Sequence, residues 1–259
     1  MPRNDRRHFY PKPDAKPTAA RAGDGLWLFG LHAVRAALAN PARKVKRAVL
    51  TARAAEEIGV KLLGRVRQEI VDGDTVTKLL PAGAVHQGVA LSCEHLPRRD
   101  LEDVLDVPSD SRRIVVILDQ ISDPQNTGAI LRTAAAFGAT AVVVQDRHSP
   151  PETGTLAKAA SGALDIIPYI HVVNITRALE QLAKREFWRI ALAGDGDGPL
   201  KDVLPAGDIA LVLGSEGAGI RRLVRENCDA AAFIPIDHKM ESLNVSNAAA
   251  AALYEIRRG

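Results

Sequence analysis

The sequence predicts an α/β protein, with a C-terminal domain built on a parallel sheet and a smaller α/β domain before it. Three observations carry this. From residue 113 onward, runs that are apolar on both faces, such as 114–119 and 209–213, alternate with helical patterns, and strands of that kind imply a parallel sheet covered on both sides. Residues 25–96 repeat the alternation on a smaller scale. Between them, 97–112 is polar, holds Pro97 and Pro108, and reads as a linker with room for one short helix.

Residues 1–24 hold four prolines and no apolar periodicity, which suits a disordered basic arm. Such an arm is either a solvated tail or a source of phosphate contacts. Folded structure opens at Trp27, and Leu31, Val34 and Leu38 share one helix face that Asn40-Pro41 ends. Arg43, Lys44, Lys46 and Arg47 follow, then a strand over 48–51. From Arg35 to Arg53 there are six basic residues and no acidic one, which is either a solvated face or an RNA contact surface. A helix is expected over 54–68, a weak strand or turn over 76–80, and a strand over 89–93. His86 and Gln87 sit in the glycine-bounded loop 83–88, either as a loop hydrogen-bond device or as RNA contacts. In the C-terminal domain, strands are expected at 114–119, 141–145, 166–170, 188–193, 209–213 and 231–234. The expected helices are 127–137, 155–160, 175–185, 220–227 and 245–257.

Composition narrows the function. Aromatics are 4% of 259 residues, so Val, Ile, Leu and Ala must build the core. The net charge of +3 lies entirely in residues 1–24, with six basic and three acidic side chains; the other 28 basic and 28 acidic residues balance. Any polyanion must therefore be met by local patches and the tail. The cysteines, Cys93 and Cys228, form no framework, no run reaches the ~20 apolar residues of a membrane span, and no signal-peptide pattern opens the chain. The expectation is a cytoplasmic protein with no membrane partner.

Three polar runs follow strand-like segments, where open α/β sheets bind ligands: 123–132, 214–219 and 241–247. The glycine run Gly214-Ser-Glu-Gly-Ala-Gly219 lacks the Lys-Ser/Thr of a phosphate loop and the spacing of a dinucleotide fingerprint. Gly194-Asp-Gly-Asp-Gly198 lacks the later ligands of a calcium loop. No histidine spacing suits a metal, and none is expected.

Together, Asn126-x-Gly128-x-x-x-Arg132, Gly214-Ser-Glu-Gly217-x-Gly219 and Ser242-Leu-Asn-Val-Ser246 resemble the three motifs of the SpoU (TrmH) family of RNA 2′-O-ribose methyltransferases, in the SPOUT superfamily. Phe29-Gly-Leu-His-Ala-Val34 and Gly83-Ala-Val-His-Gln-Gly88 resemble the substrate-binding domain of its RlmB branch, which methylates a guanosine of large-subunit ribosomal RNA. The resemblance implies a deep trefoil knot in the C-terminal domain, contrary to the usual rule of un-knotted connections. It implies S-adenosylmethionine as cofactor and S-adenosylhomocysteine as product, with Ala193, Gly194, Gly214, Ile234, Leu243 and Ser246 as cofactor-binding residues. Arg132 would clamp the reacting hydroxyl, and Asn126, Glu216, Ser242 and Asn244 would orient it. A homodimer through the knotted domain would share the site. The partner would be ribosomal RNA; the alternatives are a tRNA 2′-O-methyltransferase and a non-catalytic RNA-binding or assembly factor.

Overall fold

The computed structural model describes residues 25–107, 109 and 111–258; the expected arm over 1–24 lies outside them. The first unit runs β1 (Leu26–Phe29), α1 (Leu31–Ala39), β2 (Val45–Leu50), α2 (Ala52–Ile58), α3 (Val60–Leu63), β3 (Arg67–Ile70), α4 (Gly73–Lys78) and β4 (Val89–Cys93). Its sheet has the order β1-β4-β2-β3, antiparallel except for the β2–β3 pair. Two expectations fail here. The helix over 54–68 is broken at Gly59, whose φ of +90° a side chain would strain, and its last residues form β3. The weak strand over 76–80 is instead the end of α4, because the Asp72 carboxylate accepts from the Thr75 amide at 2.7 Å and starts a helix.

The segment 97–112 is no free tether. Its helix α5 (Leu101–Leu105) buries Leu101, Val104 and Leu105 against the second sheet. That second unit continues with β5 (Ile114–Asp119), α6 (Pro124–Ala136), β6 (Ala141–Gln145), α7 (Gly154–Ala159), β7 (Tyr169–Val172) and α8 (Ile175–Ala183). It ends with β8 (Trp188–Leu192), β9 (Gly198–Pro199), β10 (Ile209–Gly214), α9 (Arg222–Arg225), β11 (Ala230–Phe233) and α10 (Val245–Arg258). Its seven strands are parallel in the order β7-β6-β5-β10-β8-β11-β9. All six residues of β5 are buried, as a strand covered on both faces requires. The strand expected at 166–170 starts at Tyr169, after a 3₁₀ turn over Ala163–Asp165, and the helix expected over 220–227 keeps only α9.

One hydrophobic core runs through both units. It joins Leu28, Val34 and Leu91 of the first to Ile114, Val116 and Leu118 on the larger sheet and to Leu131 of α6. Each such fully buried aliphatic side chain contributes ~1.5–3 kcal/mol.

One residue of the basic run after α1, Arg43, is spent inside the protein, which corrects part of the expected RNA surface. The Arg43 side chain is fully buried, bonded to both oxygens of Asp165 at 2.9 and 3.0 Å and ion-paired with Glu152. A buried cation needs such partners, so Arg43 ties the two units together and is no RNA contact. Arg47 lies over the Trp27 ring and pairs with Glu69 at 3.1 Å. Lys44 and Lys46 remain exposed. Gln87 accepts from the Lys158 ammonium of α7 at 2.6 Å, and His86 bonds to Thr77 of α4 and to the Gly88 amide of its own loop. Those contacts are the ones that the first reading of that loop, a hydrogen-bond device, calls for.

Candidate active site

The parallel register brings the three polar runs to one edge. Asp119 pairs with Gly214 at the ends of β5 and β10, Leu213 pairs with Leu192 of β8, and Leu192 pairs with Ala232 of β11. The loops that leave β8, β10 and β11 therefore emerge side by side. They enclose a cavity of about 1010 Å³, whose lining includes Ala193, Gly194, Gly214, Ile234 and Leu243 together with Glu216, Ser242 and Asn244.

The loop after β10 folds tightly back. Ser215 and Gly219 exchange backbone hydrogen bonds of 3.2 and 2.9 Å, and a Cβ on Gly214 would stand 2.2 Å from the Gly219 carbonyl carbon. Only glycine fits there, and the turn presents Glu216. Two ion pairs not singled out from the sequence hold this loop. The fully buried carboxylate of Asp119 accepts from the Arg221 amide at 2.9 Å and from its guanidinium at 2.8 and 2.6 Å. Arg225 pairs with Asp195 at 2.7 Å across the cavity wall, and that contact holds the Asp195 carboxyl below its usual range. The signal for Asp119 was present: it is a lone acid ending an otherwise apolar strand.

Asn126 enters through α6. The Asp123 side chain accepts from the Gln125 and Asn126 amides at 3.0 and 3.3 Å, with Pro124 at the first helical position. The three motifs then meet. Glu216 Oε1 accepts from Asn126 Nδ2 at 3.3 Å and from Asn244 Nδ2 at 2.8 Å, and Asn244 Nδ2 also donates to Asn126 Oδ1 at 3.0 Å. Ser246 does not line the cavity; its hydroxyl donates to Asn244 Oδ1 at 2.6 Å and fixes that amide. Arg132 is not brought into this cluster. It lies about 9 Å along α6 from Asn126 and about 120° round it, is exposed, and makes no hydrogen bond or ion pair among the described residues. Neither thiol is available as a nucleophile, since burial pushes Cys93 and Cys228 up to about 12. Among the described residues no cluster of His, Cys, Asp and Glu could hold a metal ion, and no helix is long and apolar enough to cross a membrane.

This convergence matches a known pattern. The profile of the SpoU rRNA Methylase family covers residues 113–254, and that of the RNA 2′-O ribose methyltransferase substrate-binding domain covers 27–98. The chain belongs to the SpoU rRNA methylase family. It is 36% identical over 239 residues to the 23S rRNA (guanosine-2′-O-)-methyltransferase RlmB of Xylella fastidiosa strain Temecula1, covering 90% of this chain and 96% of that one. It is also 36% identical to the RlmB of Coxiella burnetii, covering 89% and 94%. The fold is that of solved SpoU methyltransferases. AviRb from Streptomyces viridochromogenes, in complex with AdoMet, superposes with a TM-score of 0.77 at 24% identity, covering 91% of this chain and 90% of that one. An AdoMet-bound rRNA methyltransferase from Sinorhizobium meliloti gives 0.72 at 22%, covering 91% and 87%.

Proposed function

We propose that this SpoU family member is an S-adenosylmethionine-dependent methyltransferase that modifies a guanosine ribose 2′-hydroxyl of 23S rRNA. The observation that carries the reading is the Asn126–Glu216–Asn244 network, which joins all three family motifs beside one cavity. The RlmB relatives, matched over nearly their whole length, supply the substrate class.

The cavity suits the cofactor. Leu192, Leu213, Phe233, Ile234 and Leu243 give it an apolar slot for a purine, and Gly214, Ile234 and Leu243, whose backbone groups would hold the cofactor, stand at its wall. It offers no phosphate cradle, because the amide that opens α9 is already held by Asp119, and S-adenosylmethionine carries no phosphate. When bound there, that cofactor supplies an electrophilic methyl group on a sulfonium. The chain's own residues must then lower the cost of removing the ribose proton. Arg132 cannot readily give up a proton; it acts as an electrostatic clamp on the hydroxyl and its neighbouring phosphate, with the proton passing to phosphate or water. Asn126, Glu216, Ser242 and Asn244 orient the ribose. Arg132 stands apart from its own chain's cluster, and Ile236, Met240 and Tyr254 expose apolar surface. Both suit a homodimer through this domain, with Arg132 working beside the partner's cluster. The deep knot belongs to the same reading.

Mapping 2′-O-methyl groups on 23S rRNA in cells with and without the gene tests the function; an unchanged methylation map rejects it. Arg132→Ala should lower methyl transfer ~100-fold or more with cofactor affinity unchanged by calorimetry. Near-normal turnover would remove Arg132 from the chemistry.

A further inference from the structure

We propose that a second cleft, between the two units, holds an unstacked nucleotide of the RNA substrate. The inference rests on the RNA methyltransferase reading and adds a binding site to it. The cleft measures about 880 Å³, within the range of about 300–1,000 Å³ common to small-ligand sites. Leu164, Ile167 and Tyr169 line it with apolar surface, and Ile166 stands 71% exposed at its edge. Arg98 and Arg99 also line it. An apolar or aromatic wall with arginines beside it is what a splayed-out base and its phosphate require.

Three carboxylates line the cleft, and two of them, Glu152 and Asp165, share the buried Arg43; the cations left to meet a phosphate are Arg98 and Arg99. Arg98 has only Asp146 nearby, at 3.6 Å, with 83% of its own side chain exposed. Arg99 makes no hydrogen bond or ion pair among the described residues. His171 also lines the cleft; its Nδ1 is buried, makes no hydrogen bond, and stands 3.7 Å from Asp146 Oδ1.

Position supports the same occupant. Asp146, Ser149 and Glu152 follow β6, which is the neighbour of β5, and strands in a sheet lie about 4.8 Å apart. The loop carrying Asn126 follows β5 at the same edge. The walls are also held together in advance: Asn40 donates to Asp165 at 3.0 Å, and away from the cleft Lys158 donates to Gln87 at 2.6 Å, each bond joining the two units. A nucleotide near the methylated one would therefore meet a preformed site.

The test uses the full chain and transcribed fragments of 23S rRNA. The double variant Arg98→Gln/Arg99→Gln should weaken RNA binding tenfold or more. It should also reduce the slope of log K against log salt by roughly 1.4, for two lost single-strand phosphate contacts. Cofactor affinity and the thermal midpoint should stay as in the wild type. The control Lys184→Gln/Lys201→Gln removes the same charge elsewhere and should change neither quantity. Photocrosslinking of 4-thiouridine-substituted fragments should label peptides within residues 164–171. Wild-type affinity and slope in the double variant, an equal loss in the control, or crosslinks confined to other regions would each overturn the proposal. These readouts are of binding, so a protein that binds the fragments without methylating any of them defeats the enzymatic reading and leaves the cleft to be judged separately.

Discussion

Thr127 shows how one residue can sit against its surroundings. It is fully buried in the first turns of α6, and its hydroxyl has no hydrogen-bond partner among the described residues. An unmet buried hydroxyl is a cost of about 1–3 kcal/mol that an apolar group of the same shape avoids. Thr127→Val should therefore raise stability by ~1 kcal/mol in urea denaturation; a loss of stability would mean that the hydroxyl is satisfied. His171 gives a pH dependence. Burial lowers its pKa below the ordinary 6.5, with Asp146 opposing. The unfolded chain then binds the proton more readily, so stability is fully present above about pH 6.5 and is lost as pH falls toward the lowered folded value. The thermal midpoint should drop between about pH 7.5 and about pH 5, and less so in His171→Gln. Equal drops in the two proteins would assign the effect to other groups.

At the scale of elements, the start of α6 decides where Asn126 points. Asp123 caps that helix through two amides, one of them Asn126's own. Asp123→Ala should cost ~1 kcal/mol of stability and slow methyl transfer more than it weakens cofactor binding, because the cap positions Asn126 and not the cavity wall. Equal loss in both would make the cap merely structural. The helix was legible in the sequence, but its start was expected at 127; Asp-Pro is the start signal that places it at Pro124. The break at Gly59 and the helix over Gly73–Lys78 were not read, because the apolar periodicity of 54–68 runs straight across the glycine and four-to-seven-residue elements leave little pattern.

For the whole molecule, the interface between the two units is decided by Arg43. Arg43→Gln leaves Asp165, whose side chain is 2% exposed, without its cation. Removing one partner of a buried pair costs ~3–5 kcal/mol, so denaturant unfolding should move by that order, with the N-terminal unit loosened from α7. A change below about 1 kcal/mol, the range of an exposed pair, would show that the pair is solvated.

The sequence by itself determined the parallel α/β architecture, six of the seven strands from 114 onward, all but the two-residue β9, and the three motif runs. Each of these is written locally, in apolar periodicity, in glycine placement or in residues a few positions apart. What the tertiary structure alone decided is which side chains spend their charge inside the protein. Arg43 and Lys44 are adjacent and look alike in sequence, yet one is buried against Glu152 and Asp165, more than a hundred residues away, and the other is exposed. The same holds for the Asp119–Arg221 clamp and for the meeting of Asn126, Glu216 and Asn244. These pairings depend on strand register and on the docking of one unit against the other, and contacts between residues so distant leave no periodic trace along the chain.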